Sequence, residues 1–458
     1  MGNLYSKNHS SALTSIIFFT LIDLALSAFF SSISIFIVGA IGTVIVFLLR
    51  PEVDRRSEKL FILIKIFTVL AVLLSYYNCE ALFSKPYYIG GSDDLHSETD
   101  AFDFIKSHYN WPWDWPLFVK DKGFIWMLAK LISFAGVEHY HTIAFRVLNE
   151  DILIATSVLC YRISKYRLSL NKKQAVNVLA VAALFPNSLY LSSFVFRDTI
   201  CAFFMLLVFA LSDDLFKKNG QIKLVFDTKI PILVLLGVLF FLSFWIRPEA
   251  LFFEIAIVGL SVLKDNTIKG KNVLYLLVAF VGVYYVLTSI GAFETVNHTI
   301  DAYSEYRLDE TVNSSNAIFK LIFTLPLLPF GIILRAVWGF LSPFPVQLIN
   351  LFSIFSKPTD IFGIIVAIGM IPYYLYIAFF FKGIVRLDKY MLAFSMIFLG
   401  YIISTFTFRH VLLFYPYFWM ILLKNYYQSS SKYKNQIKKV SFAVLFMLPV
   451  LYMITKLL

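Results

Sequence analysis

Five carboxylates fall within eleven positions in the stretch YIGGSDDLHSETDAFDF, residues 88–104: Asp93, Asp94, Glu98, Asp100 and Asp103. His96 lies among them, and Gly90 and Gly91 come just before. A second set of ionisable residues sits where apolar runs begin or break: Arg146, the pair Arg197-Asp198, Arg247 with Glu249, and the pair Arg409-His410. Carboxylates serve as general bases, and arginine forks bind phosphate oxygens two at a time. A reaction that needs both is glycosyl transfer from a lipid-linked diphosphate. An acceptor hydroxyl attacks the anomeric carbon, a carboxylate takes its proton, and cations meet the leaving diphosphate. On this reading Asp93 or Asp94 is the base, with Glu98 and Asp100 as second choices. Arg146, Arg197, Asp198, Arg247, Glu249, Arg409 and His410 line the donor site. The adjacent acids Asp93 and Asp94 could also divide base work from metal ligation, so a divalent cation, Mg or Mn, is an option. Each residue also has a bland explanation. An arginine at a helix end can snorkel to headgroups, neighbouring Arg and Asp can form a weak local ion pair, and an acidic turn can be a solvated loop.

The elements that must position these residues are apolar helices. Of 458 residues 59% are hydrophobic, 18% aromatic and only 15% charged, against roughly 25% charged in a soluble domain. Lipid requires every backbone polar group to be satisfied internally, and runs of about 20 apolar residues point to helices rather than a barrel. The net charge of +11 is spread over short loops, as the bias of Lys and Arg to cytoplasmic loops predicts. A nucleic-acid binder would gather it in one patch. Cys79, Cys160 and Cys201 are too scattered for a disulfide framework or a metal site. The first apolar run is followed directly by a second, so it reads as a retained span and not a cleaved signal.

The order of segments gives a topology. Residues 11–49 form a pair of spans with a turn at Ser31-Ser32, and Asp23 within the first faces the bundle interior. The charged loop 50–59 has four basic residues and is placed in the cytoplasm, with the N-terminus. Residues 60–77 cross outward, so the acidic stretch lies in a long outer loop, 78–141, that includes WPWDWP. The segment 162–173 holds five basic residues and no acid, so it belongs inside. Only one of the runs 123–135 and 141–160 can then cross. The shorter, 123–135, is assigned to the outer surface as a juxtamembrane helix. Crossings follow at 175–190, broken by Pro186, and at 199–211, 230–246, 251–263 and 273–290. A second outer loop spans 292–316. The proline-rich block 317–360 is broken or re-entrant, followed by spans at 361–381, 390–406, 411–423 and 440–457, with a basic loop at 424–439. The total is about thirteen crossings, or about fifteen if residues 317–355 form a hairpin, in a single all-α integral membrane domain over 1–458.

Six motifs resemble one family. GGSDDLHSETDAF is similar to the first outer loop of membrane-embedded GT-C glycosyltransferases. FRVLNEDILIATSVLCYRISKYR from Phe145 resembles their arginine-led span ending in a basic loop, and LFPNSLYLSSFVFRDTICAFF from Leu184 their proline-broken hairpin with an Arg-Asp tip. FWIRPEALFF from Phe244 resembles their Arg-Pro tip, FRHVLLFYPYFWMILL from Phe408 their late arginine before an aromatic-proline span, and GFLSPFPVQL from Gly339 a segment of multispan polysaccharide enzymes. The chain most resembles bacterial O-antigen and exopolysaccharide polymerases (Wzy and EpsG types). That resemblance implies an undecaprenyl-diphosphate-linked glycan donor, a glycan or glycolipid acceptor and no nucleotide sugar at the catalytic step. It also implies an active site on the periplasmic or extracellular side of a bacterial inner membrane. By position it implies Asp93 or Asp94 as base and Arg197, Arg247 and Arg409 at the diphosphate. The acidic motif lacks the Asp-Glu pair and following Tyr common in protein mannosyltransferases, and the soluble outer domain of some GT-C enzymes is missing, which argues against a protein acceptor and leaves metal dependence open.

Two rival classes remain open on the residues. A flippase for lipid-linked oligosaccharide would also hold cations for a diphosphate, but should carry two similar halves and a charged path through the bilayer. A membrane acyltransferase would need a histidine deep in a span, and His96, His108 and His410 all fall in outer segments on this topology.

Overall fold

The structure, a computed structural model, describes residues 2–49, 55–91, 93–114, 122–216, 229–262, 322, 325, 330–341, 360–382, 388–403 and 408–457. The expected span at 273–290, the outer loop 292–316 and most of the block 317–360 lie outside them. Among the described residues the chain is all-helical, with no strand. The helices are α1 (Gly2–Phe29), α2 (Ile33–Leu49), α3 (Arg55–Phe83), α4 (Asp93–Lys106), α5 (Lys122–Ala135), α6 (Ile143–Tyr166), α7 (Lys172–Leu184) and α8 (Pro186–Ser192). They continue as α9 (Asp198–Phe216), α10 (Lys229–Ile246), α11 (Pro248–Val262), α12 (Ile332–Leu341), α13 (Ile361–Phe381), α14 (Lys389–Ile403), α15 (Val411–Tyr427) and α16 (Ser431–Leu457).

Local chemistry sets many of the ends. Ser31, at φ 51°, turns the chain between α1 and α2. Asn171 and Gln174 form a reciprocal capping box on α7, which satisfies two otherwise orphaned amides. The Asp360 carboxylate accepts from the Gly363 amide at 2.8 Å and starts α13. Pro186 and Pro248 occupy the first positions of α8 and α11, where a missing N–H costs nothing. The α7–α8 pair bends by 47° at this break.

Among the described residues, four stretches are long and apolar enough to cross a membrane: Glu58–Gly90, Asp198–Phe216, Lys229–Ile246 and Ile361–Phe381. The bent α7–α8 pair makes a fifth if it counts as one span. Helices α2, α12 and most of α14 are apolar but shorter. Large apolar side chains face outward in rows, as with Leu13, Ile17, Leu21 and Leu24 on α1 and Ile230, Val234, Val238 and Phe241 on α10. Such faces suit lipid chains better than water. The helix expected at 123–135 is α5; its apolar side packs on α4, and its start docks against α10. The basic segment 424–439 differs from the expected loop: α15 runs to Tyr427 and α16 begins at Ser431. Its Lys and Gln residues are good helix formers, so the helix extends beyond its apolar part.

Helices α6 and α15 form the centre, buried along nearly their whole lengths. Helix α2 lies very close to α6. A Cβ on Gly42 would come within 2.5 Å of the Asp151 side chain, and one on Gly39 within 2.4 Å of Asp23. These glycines make room for a buried charge cluster. Lys65 Nζ sits 2.9 Å from Asp23 and 2.7 Å from Asp151, all three inaccessible to solvent. Asp23 faces the interior, as expected, but it has a partner from α3 that sequence proximity did not suggest. At one end of the bundle a second cluster ties helices together: Arg167 contacts Asp213 at 2.5 Å and Asp214 at 2.7 Å, Lys389 also pairs with Asp213, and Lys424 reaches Asp388 at 2.7 Å.

Candidate active site

The opposite end carries the acidic helix and the arginine tips. Helix α4 starts at Asp93, so the acidic stretch is a helix rather than an open loop. The preceding turn places Gly90 and Gly91 at φ 76° and 140°, conformations that glycine adopts without strain. The 3.6-residue repeat of α4 separates the acids onto different faces. Asp94 and Glu98 are buried with Ala101, whereas Asp93 is exposed and Asp100 half-buried.

Asp94 holds the turn. Its Oδ2 accepts the Tyr88 amide at 2.8 Å, and the side chain has no exposure to solvent. Asp93, 53% exposed, instead points to the arginines and pairs with Arg409 Nη2. Arg409 Nε lies 3.6 Å from Asp198 Oδ2. Asp198, buried at the start of α9, pairs through Oδ1 with Arg247 Nη1. Arg247 Nη2 lies 3.0 Å from His410 Nε2. Aromatic rings back this chain of charges: Tyr401 stacks beside His410 at 4.6 Å and under Arg247 at 5.1 Å, and Phe196 lies 5.3 Å from the Arg409 guanidinium. Asp93, Arg409, Asp198, Arg247 and His410 therefore form one connected network, drawn from α4, α9, the α10–α11 break and the turn before α15. Arg197 and Glu249 flank it, close enough to act electrostatically on Asp198 and Arg247. The Nε–H groups of Arg247 and Arg409 are buried and make no hydrogen bond among the described residues.

Arg146 stands beside this network but faces protein. It donates through Nη1 to the Ser193 carbonyl at 2.8 Å and to Ser75 Oγ at 3.1 Å, through Nε to Thr142 Oγ1 at 3.2 Å, and through Nη2 to the Pro86 carbonyl. Its guanidinium lies against the Phe194 ring at 5.0 Å. It thus clamps the α8–α9 break and the turn leading to α4 onto α6. These carbonyls have no helical partner, and a planar five-donor fork suits them.

Glu98 is 7% exposed, and its Oε2 takes no hydrogen bond among the described residues. Burial pushes its carboxyl above the ordinary range, against the opposing pull of the Tyr87 hydroxyl and Arg146. The Tyr140 hydroxyl, also buried and without a hydrogen bond among the described residues, lies close by. Asp100 is on another side of α4; burial raises its carboxyl too, with His96 opposing. It is not joined to the arginine network by any described contact.

Sequence order suggested the arginine layer but not the rings that support it, nor the Tyr87 and Tyr140 neighbours of Glu98. Nothing in the local patterns around Phe196 or Tyr401 distinguishes them from core aromatics. Among the described residues there is no group of three or more His, Cys, Asp or Glu side chains that could hold a metal ion. No protein-family model, curated protein or solved structure matches the chain.

Proposed function

We propose that the chain is a membrane glycosyltransferase that acts on the outer face of a bacterial inner membrane. Its donor is a sugar or oligosaccharide on a polyprenyl diphosphate, and its product is a polymer of surface-polysaccharide repeat units such as O-antigen. The reading includes about thirteen crossings with a cytoplasmic N-terminus. The observation that carries it is the Asp93–Arg409–Asp198–Arg247 network: a half-exposed carboxylate set directly against Arg409, which Asp198 joins to the buried Arg247.

Arg247 Nε is buried with no hydrogen bond among the described residues; such a donor costs about 1–3 kcal/mol, which an arriving diphosphate would relieve. As Arg409 turns to the diphosphate oxygens it releases Asp93. The acceptor hydroxyl attacks the anomeric carbon and its proton passes to the Asp93 carboxylate. The bond from that carbon to the diphosphate oxygen breaks, and the electron pair leaves on the diphosphate, facing Arg409 and Arg247. Asp198 keeps both guanidinium groups in place, and Asp94 and Arg146 fix the helix ends that present them. A divalent cation, if the enzyme uses one, would add its charge at the diphosphate.

The test is Asp93→Asn in cells that depend on this chain for surface polymer. Loss of long chains with normal protein levels supports the reading; unchanged polymer length overturns it. A second reading, a carrier for lipid-linked oligosaccharide, draws on the Lys65–Asp23–Asp151 cluster, since buried intramembrane charges often line transport paths. It predicts that Asp93→Asn leaves polymer length intact while Lys65 substitutions stop export.

A further inference from the structure

Between α4 and α5 lies a cavity of about 340 Å³, away from the arginine network. One wall is the α4 side of Phe104 and His108, and the other is a single face of α5 carrying Ala129, Lys130 and Ser133. Trp126 continues that α5 face by the helical repeat. Its indole Nε1 donates to the Asn110 carbonyl, a lining residue, at 3.0 Å. Trp126 is the first of a run of indoles. It stacks on Trp111 at 6.2 Å and 12°, Trp111 stacks on Trp113 at 5.0 Å and 6°, and Trp113 meets Trp245 edge-on at 6.1 Å. Trp245 is two residues from Arg247. The start of α5 is seated against it so closely that a Cβ on Gly123 would lie 2.7 Å from Trp245 Cβ. The indole run therefore leads from the cavity to the arginine network. Trp111 and Trp113 remain 51% and 58% exposed.

We propose that this cavity and the indoles of Trp126, Trp111, Trp113 and Trp245 bind the acceptor glycan and guide it to the Arg247 end of the site. The proposal rests on the glycosyltransferase reading and deepens it. A pyranose ring has a C–H face that packs on a flat aromatic surface and an edge of hydroxyls that needs polar partners. Near-parallel, half-open indoles supply the first, and His108, Asn110, Lys130 and Ser133 supply the second. An acyl chain in this cavity would leave those polar groups unpaired, at a cost. Tryptophans anchored in headgroups use their ring N–H toward the interface, whereas that of Trp126 is turned inward. Helix α4 spans about 20 Å from Asp93 to its far end beside the cavity, so a bound glycan must be several sugars long to occupy both places.

The test uses the full chain in lipid nanodiscs and a printed array of bacterial repeat-unit, gluco- and chito-oligosaccharides. Wild type should bind a subset of the longer glycans, and Trp111→Ala with Trp113→Ala should weaken that binding about tenfold or more. Trp113→Ala alone, at the more exposed ring, replaces the double variant if the latter fails to fold. The proposal is overturned if no oligosaccharide binds, or if the variants bind as wild type does. It is also overturned if lipids brominated near the headgroup quench the emission lost in Trp111→Phe with Trp113→Phe, which would make these rings a membrane-interface belt. Asp93→Asn separates the two readings, because it should bind the array normally while forming no polymer. If instead it forms polymer while the tryptophan variants lose the array, the catalytic reading falls and the glycan platform stands.

Discussion

Asp93 and Asp94 are neighbours of identical chemistry, and the structure assigns them opposite consequences. Asp93 is 53% exposed and its ion pair with Arg409 is partly solvated, so Asp93→Asn should change stability by no more than about 1 kcal/mol. If Asp93 is the base, the same change should cut turnover by about 10²–10⁴-fold. Asp94 has no solvent exposure and accepts the Tyr88 amide at 2.8 Å. Asp94→Ala strands that amide and removes a charge from the first turn of α4, so it should destabilise by about 2–3 kcal/mol. Melting would be followed by tryptophan emission in detergent, and activity by polymer length on gels and by turnover of a purified lipid-linked repeat unit. The reasoning requires Asp93→Asn to melt like wild type and be inactive, and Asp94→Ala to melt lower. An active Asp93→Asn protein, or an Asp94→Ala protein as stable as wild type, would refute it.

Three further outcomes are expected. Lys65→Met leaves Asp23 and Asp151 buried without their cation, which should cost about 3–5 kcal/mol; adding Asp23→Asn and Asp151→Asn should restore much of the lost melting temperature. Glu98 has its folded pKa raised by burial. Its contribution to stability is therefore present at low pH and lost as pH rises through the folded value. As pH rises above the ordinary carboxylate range the wild type should lose melting temperature relative to Glu98→Gln, and parallel curves for the two would exclude the effect. Ser97→Cys, on the same helix as Asp93, should react with a membrane-impermeant maleimide added outside intact cells, and protection would reverse the assigned orientation.

Part of this architecture was legible along the chain. Runs of apolar residues, the Pro186 and Pro248 interruptions and the Ser31-Ser32 turn place helix ends close to those observed, because capping and proline effects act within a few residues. Arg197, Arg247 and Arg409 therefore fall at breaks whatever the packing, and those breaks bring them to one end of the bundle. The basic segment 424–439 is largely helical where its charge predicts a loop, because charge favours a loop only weakly against strong helix formers.

What the amino-acid order determines by itself is an apolar helical chain with carboxylates and arginines held at helix ends. Tertiary structure alone decides which of them meet. Asp93 and Arg409, Asp198 and Arg247, and Lys65 with Asp23 and Asp151 are joined only because particular helices pack side by side. The same packing turns Asp94 and Arg146 toward backbone groups and leaves Asp93 open. The physical reason is that helix position depends on local hydrogen bonding, whereas the rotation and neighbours of a helix are set by side-chain contacts between segments far apart in the chain.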